Sequence, residues 1–330
     1  MTKLFLTFAC TPYDRMQALF TGQTQPEGIS LNMLPLPVEE TFWRQLRHRE
    51  FDVSEMSFSS YLLSVARGSA LFIALPVFTS RFFRHSCVYI NARKGIARPE
   101  DLRGKIVGVP EYQMTAAVWL RGIMQHFYGV HPSEIHWRTG GLEKPGREEK
   151  LPLNLPDSIE CLPISAGMTL STMLASGDID ALFTARAPSS FAAAPETVTR
   201  LFPDYPSVEA EYYRQTGIFP IMHCVVIRRD VYEKNPWVAG SLYKALCQAK
   251  QLAMERLCST EALTSMLPWQ IAEVARTKSV MGEDWWPYGL KRNRATIDAL
   301  CTYSHEQGLA SRIVSPEELF APETLDSYSI

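Results

Sequence analysis

Short apolar runs alternate with segments of helical periodicity through the first two thirds of the chain. Runs at 4–9, 29–34, 51–54, 71–76, 87–92, 106–109, 135–138, 159–163, 181–184 and 223–228 read as buried strands. Between them, apolar spacing at 38–49, 59–67, 115–128 and 170–176 predicts amphipathic helices. This alternation predicts an α/β architecture with largely parallel sheets and right-handed crossovers. Beyond residue 236 the pattern turns helical only, at 237–257, 261–277 and 294–307, and 205–213 is too mixed to assign.

An internal echo suggests two lobes of similar local construction. Leu46-Arg47-His48-Arg49-Glu50-Phe51-Asp52-Val53 is similar to Leu174-Ala175-Ser176-Gly177-Asp178-Ile179-Asp180-Ala181, each leaving a helix by a turn and entering a buried strand. Asp101-Leu102-Arg103-Gly104-Lys105-Ile106-Val107-Gly108-Val109-Pro110 resembles the second-lobe entry of type 2 periplasmic-binding-protein folds. That resemblance implies a first lobe of residues 1–87 plus 224–330, carrying the C-terminal helices, and a second lobe of residues 88–223. The crossings would be 87–92 and 223–228, with ligand in the cleft where strand carboxyl ends and helix amino ends converge.

Composition narrows the function classes. The chain has 33 basic and 35 acidic residues, and neither sign forms a block. That argues against nucleic-acid binding or a polybasic membrane patch. Seven scattered cysteines without a CxxC fit reduced, buried thiols better than a disulfide framework or a zinc ribbon. The amino-terminal apolar stretch is too short for a signal peptide and meets Asp14 and Arg15 at once. Nothing else approaches the ~18 apolar residues a membrane helix needs. A cytoplasmic protein is expected, with its oligomeric state open. His126, His131 and His136 recur every five residues, but Gly129 and Pro132 break any shared helical face, so no metal site is expected.

Five blocks then carry a closer resemblance. Glu55-Met56-Ser57-Phe58-Ser59-Ser60-Tyr61, Val109-Pro110-Glu111-Tyr112-Gln113-Met114-Thr115-Ala116, Thr216-Gly217-Ile218-Phe219-Pro220-Ile221-Met222-His223, Trp286-Pro287-Tyr288-Gly289 and the tail His305-Glu306-Gln307-Gly308-Leu309 with Pro316-Glu317-Glu318-Leu319-Phe320-Ala321-Pro322-Glu323 are similar to the 4,5-dihydroxyphthalate decarboxylase family. The resemblance spans nearly the whole chain. It implies a cytoplasmic carboxy-lyase on the binding-protein fold, converting 4,5-dihydroxyphthalate to protocatechuate and carbon dioxide. A solute-binding or sensor protein for an aromatic carboxylate is the alternative, and a different enzyme acting on another cyclic acid is a third.

The chemistry of such a reaction sets its own demands. A proton must replace carbon dioxide at the ring, cationic or strong donor groups must hold two carboxylates, and the ring itself can be the electron sink when a hydroxyl para to the leaving carboxylate is held as a phenolate or nearly so. No cofactor is demanded, and no nicotinamide, pyridoxal or thiamine motif is present. His223, Glu111 and His85 are the acid–base candidates. Arg81, Arg84 and Arg186 are the carboxylate candidates, Thr115 with its neighbouring N–H groups an anion cradle, and Tyr112 a further contact. Each has a plainer reading: His223 as a hydrogen-bonded hinge residue, Glu111 as a first-turn carboxylate, Thr115 as a helix cap, Tyr112 as a packed ring, the arginines as solvated surface charges. Residues 142–156, with Lys144, Arg147, Glu148, Glu149 and Lys150 among prolines, read as an exposed loop.

Overall fold

In the computed structural model, residues 2–325 are described. Among them the strands are β1 (Leu4–Cys10), β2 (Ile29–Pro35), β3 (Val53–Ser57), β4 (Phe72–Arg81), β5 (Val88–Asn91), β6 (Ile106–Val109), β7 (His136–Thr139), β8 (Cys161–Pro163), β9 (Ala181–Phe183), β10 (Val198–Arg200) and β11 (Ile221–Arg228). The chain divides into two compact units. One comprises Met1–Arg81, Ile221–Ile297 and Val314–Ile330, the other Phe82–Pro220 and Asp298–Ile313.

The first unit is built on a sheet of order β2-β1-β3-β11-β4. Strand β1 runs parallel to β2 and β3, whereas β11 is antiparallel to both β3 and β4. Residues of β4 and β11 are almost all buried, which is why these segments carry apolar runs, whereas β1 buries Leu6, Phe8, Ala9 and Cys10 and leaves Phe5 exposed. Strand β4 runs five residues beyond the expected 76, through Pro76. It can do so because it is the last strand of the sheet, where a residue without an N–H is tolerated, and the Pro76 carbonyl accepts from Gly289 N–H. The β11–β4 register shifts on both sides of His223, an irregularity of the kind that re-aims a side chain at a strand end.

The second unit carries a sheet of order β10-β5-β9-β6-β7-β8. Its core gathers Tyr89, Leu170, Leu174, Ile179, Leu182 and Val198. Gly108 on β6 is required there, since a Cβ would stand 2.7 Å from Ile179 Cδ1 and 2.9 Å from Leu170 Cδ2.

Several expected elements differ in place. The segment 87–92, expected as a crossing, is β5 and lies wholly in the second unit, and 223–228 belongs to β11 in the first. The chain passes between units at Arg81/Phe82 and Pro220/Ile221, so Cys87 belongs to the second unit and His223 to the first. The tail is also divided. The helix Leu290–Glu306 leaves the first unit at residue 298, and Asp298–Ile313 packs into the second. A cause is visible in Gly122, whose missing side chain admits the Tyr303 ring: a Cβ there would lie 1.9 Å from Tyr303 Cδ2. Residues 205–213, unassigned by pattern, lie in the helix Tyr205–Thr216. The helix expected at 261–277 begins only at Gln270, after Pro268.

Candidate active site

The polar residues of the first unit converge where β1, β3 and β4 end and β11 begins. Glu55 on β3 is fully buried, and its carboxylate is nonetheless fully supplied with donors. His223 Nδ1 lies 2.7 Å from Oε1, Tyr13 donates its hydroxyl at 2.7 Å, Thr79 donates at 3.0 Å, and Thr11 N–H reaches Oε2 at 3.2 Å. Burial on its own would raise the Glu55 pKa, but the His223 imidazole and the Tyr13 and Thr11 hydrogen bonds outweigh it and hold the carboxyl below its ordinary range. Burial and the same carboxylate push the Tyr13 phenol up, so it stays a donor.

An ionised Glu55 can only accept, so the tautomer that pairs with it carries its proton on His223 Nδ1 and has Nε2 as its second ring nitrogen. Phe42 meets the imidazole edge-on, with ring centroids 4.8 Å apart. The His223 side chain keeps 16% of its surface exposed, while its carboxylate partner keeps none. This buried acid behind an accessible imidazole is an arrangement that holds and delivers a proton.

Arg15 completes the cluster. Its guanidinium stands 4.1 Å from the Tyr13 ring centroid and 4.3 Å from that of Trp286, and Nε donates to the Thr79 carbonyl at 2.7 Å. Arg81, expected to hold a carboxylate, is 4% exposed and donates to the Pro287 carbonyl at 2.8 Å and to Asn293 Oδ1. It braces the Trp286-Pro287-Tyr288 loop.

The second unit treats its candidates differently. Glu111 is buried against two cations: Arg147 donates through Nε at 2.7 Å and Nη2 at 2.5 Å, and Lys150 at 3.0 Å. Glu149 accepts from the backbone N–H of Tyr112, and of Gln113 at 3.4 Å. The loop read as exposed is therefore tied down by its charges. Tyr112 is fully buried, with the Arg121 guanidinium 3.6 Å from its ring centroid, and serves as packing. Thr115 is the buried first residue of the helix Thr115–Tyr128.

Arg84 is buried too, with Nη1 3.6 Å from Cys87 Sγ and the guanidinium over the Phe82 ring. His85 is sealed among the rings of Tyr128, Phe202 and Tyr212, with neither ring nitrogen hydrogen-bonded. Burial lowers its pKa to about 4, so it is neutral and cut off from solvent, and the structure gives it no role in proton transfer. Arg186 is exposed.

Sequence reasoning missed Glu55, Tyr13, Thr79 and Arg15. Glu55 stood in a quoted block without a role, and Arg15 follows the first strand end, where α/β folds place ligand groups. Among the described residues no group of three or more His, Cys, Asp and Glu is placed to hold a metal ion, and no helix is long and apolar enough to cross a membrane.

Comparison with solved structures defines the class: two α/β units on the fold of type 2 periplasmic binding proteins. The chain is similar to a periplasmic sulfonate-binding protein from Methylobacillus flagellatus, at a TM-score of 0.56 and 11% identity over 97% of this chain and 92% of that one. It is similar as well to the periplasmic aliphatic sulphonate binding protein of Escherichia coli, at 0.53 and 12% over 98% and 99%. No family model matches.

Curated relatives are more specific. The 4,5-dihydroxyphthalate decarboxylase of Comamonas testosteroni is 41% identical over 330 residues, the full length of both chains. That of Pseudomonas putida is 41% identical over 214 residues, 65% of this chain and 83% of the relative. The chain belongs to the 4,5-dihydroxyphthalate decarboxylase family.

Proposed function

We propose that the protein is a carboxy-lyase that converts 4,5-dihydroxyphthalate to protocatechuate and carbon dioxide at the first-unit cluster, with His223 as the proton donor. The identity to the Comamonas testosteroni decarboxylase over the whole of both chains carries the reaction. The Glu55–His223 pair supports the site.

In this reading the protonated imidazole, held by Glu55, gives its Nε2 proton to the ring carbon that bears the departing carboxylate. The oxygen para to that carbon feeds electron density into the ring for the new C–H bond and becomes carbonyl-like, and it recovers that density in the next step. The carbon–carboxyl bond then breaks, its electron pair restores the aromatic ring, and carbon dioxide leaves. One carboxylate and one proton are consumed, one carbon dioxide and one ring C–H are formed, and His223 is reprotonated from water.

Arg84 and Arg186 in the second unit remain candidates for carboxylate recognition. Glu111, neutralised by Arg147 and Lys150, is proposed as an anchor rather than an acid. The cytoplasm is the proposed compartment, supported by seven cysteines that are all free thiols.

Purified protein mixed with 4,5-dihydroxyphthalate should release carbon dioxide and form protocatechuate in equal amounts. Tight binding without turnover would instead favour a binding or sensor protein, the reading to which the shared fold with sulfonate-binding proteins lends support.

A further inference from the structure

We propose that Arg15 is the fork that binds the carboxylate retained on the ring while the other one leaves, an inference that rests on the decarboxylase reading above. The guanidinium has five N–H donors in one plane. Among the described residues, Nε and Nη2 are engaged by the Thr79 carbonyl and one Nη1 proton by Asp14 Oδ1 at 3.0 Å. Two N–H bonds remain, one on each terminal nitrogen, and that pair matches the two oxygens of a carboxylate.

The plane of this fork is held from outside. Tyr13 and Trp286 both lie against the guanidinium, and each ring is itself anchored: Tyr13 by its hydroxyl on Glu55, Trp286 by its indole N–H on the Phe78 carbonyl at 2.9 Å. Only 14% of the Arg15 side chain is exposed. Its acidic partner among the described residues, Asp14, is 54% exposed, so solvent screens that pair and leaves the cation available to a ligand. Thr79 joins the two parts of the site, its carbonyl accepting from Arg15 and its hydroxyl donating to the carboxylate that holds His223. Among the described residues Glu55 is turned to His223, and the carboxylate paired with Arg15 is that of the exposed Asp14.

A substrate with two adjacent carboxylates loses one as carbon dioxide when the His223 proton arrives, and the other keeps its charge and its partner throughout. Arg15 then contributes equally to the binding of substrate and product, and acts on KM rather than on kcat. A catechol ring without a carboxylate has no use for it.

The test uses the full chain as wild type, Arg15→Gln and Arg15→Lys. It measures steady-state kinetics with 4,5-dihydroxyphthalate and the dissociation constants of protocatechuate and catechol. Arg15→Gln should weaken protocatechuate binding and raise KM by about 10- to 100-fold, with kcat within a few-fold and catechol binding unchanged. Arg15→Lys, which keeps the charge and loses the fork, should fall between and serves if the glutamine variant does not fold. Unchanged protocatechuate affinity in a normally melting variant overturns the proposal, as does a parallel loss of catechol binding. Wild-type protein that binds protocatechuate through Arg15 but releases no carbon dioxide would refute the reaction and leave the carboxylate fork standing.

Discussion

Each unit buries a glutamate on or just beyond a strand of its sheet, Glu55 within β3 and Glu111 two residues after β6, and the two are satisfied by different chemistry. Glu55 is met by two hydroxyls, a backbone N–H and an imidazole. Glu111 is met by a guanidinium and an ammonium. An imidazole carries a ring nitrogen that can either donate or accept a proton, whereas a guanidinium and an ammonium offer only donors. In the proposed reading the same device, a buried carboxylate, serves a proton-handling pair in one unit and a loop anchor in the other. Partner choice, not the acid itself, separates the roles.

The comparison breaks first at Glu55. Glu55→Gln keeps the volume but removes the charge that orients His223, and kcat for decarboxylation should fall about a hundredfold or more while substrate affinity changes little. Glu111→Gln should do the reverse. Stopped-assay kinetics should show kcat within a few-fold of wild type. Chemical denaturation should show a loss of about 2 kcal/mol, below the cost of breaking a fully buried pair because Arg147 and Lys150 are 28% and 20% exposed. Comparable kcat losses in both variants would erase the distinction.

A smaller effect is expected at Glu149. Burial, and then the charge of Glu111, lift its pKa from 4.5 to about 7 against the lowering effect of the Tyr112 and Gln113 N–H groups. The folded protein then binds more protons than the unfolded chain between these values, so this group's contribution to stability falls as pH rises from about 4.5 to about 7. Glu149→Gln should flatten that fall and stabilise the protein at pH 8 by on the order of 1 kcal/mol, discounted for the solvent that reaches the loop. Denaturation midpoints across pH 5–8, measured for both proteins, check the sign. The smallest effect expected is none: exhaustive chelation should leave turnover unchanged, and loss restored only by added metal would reveal a site assembled from distant residues.

Much of the architecture was legible because a buried strand announces itself locally. The ten expected strands all appear, nine with shifted ends and β6 at its expected bounds, and only β10, three residues long, gave no apolar run to read. His223 was legible as chemistry since it sits at a strand end between apolar neighbours. Its partner was not, because Glu55 lies 168 residues away and meets it only through the antiparallel pairing of β11 with β3. Arg147 and Lys150 were hidden for a related reason. A charge-rich, proline-rich stretch looks solvated until the buried acid 36 and 39 residues earlier is known to need it. His85 misled in the opposite sense, since nothing local tells that three aromatic rings from the Thr115–Tyr128 helix and residues 202 and 212 will close over it.

The division of the last long helix bears on how the chain is made. The second unit needs Asp298–Ile313, and the first needs segments that begin at Ile221 and Val314. During synthesis at about 5–20 residues per second, neither unit can finish folding when its first segment emerges. Residues 82–220 would wait several seconds on the ribosome with the Gly122 groove open, until Tyr303 arrives to fill it. A nascent chain stalled before residue 298 should accordingly be cut by protease within 82–220, and one extended past residue 313 by a tunnel's length should resist.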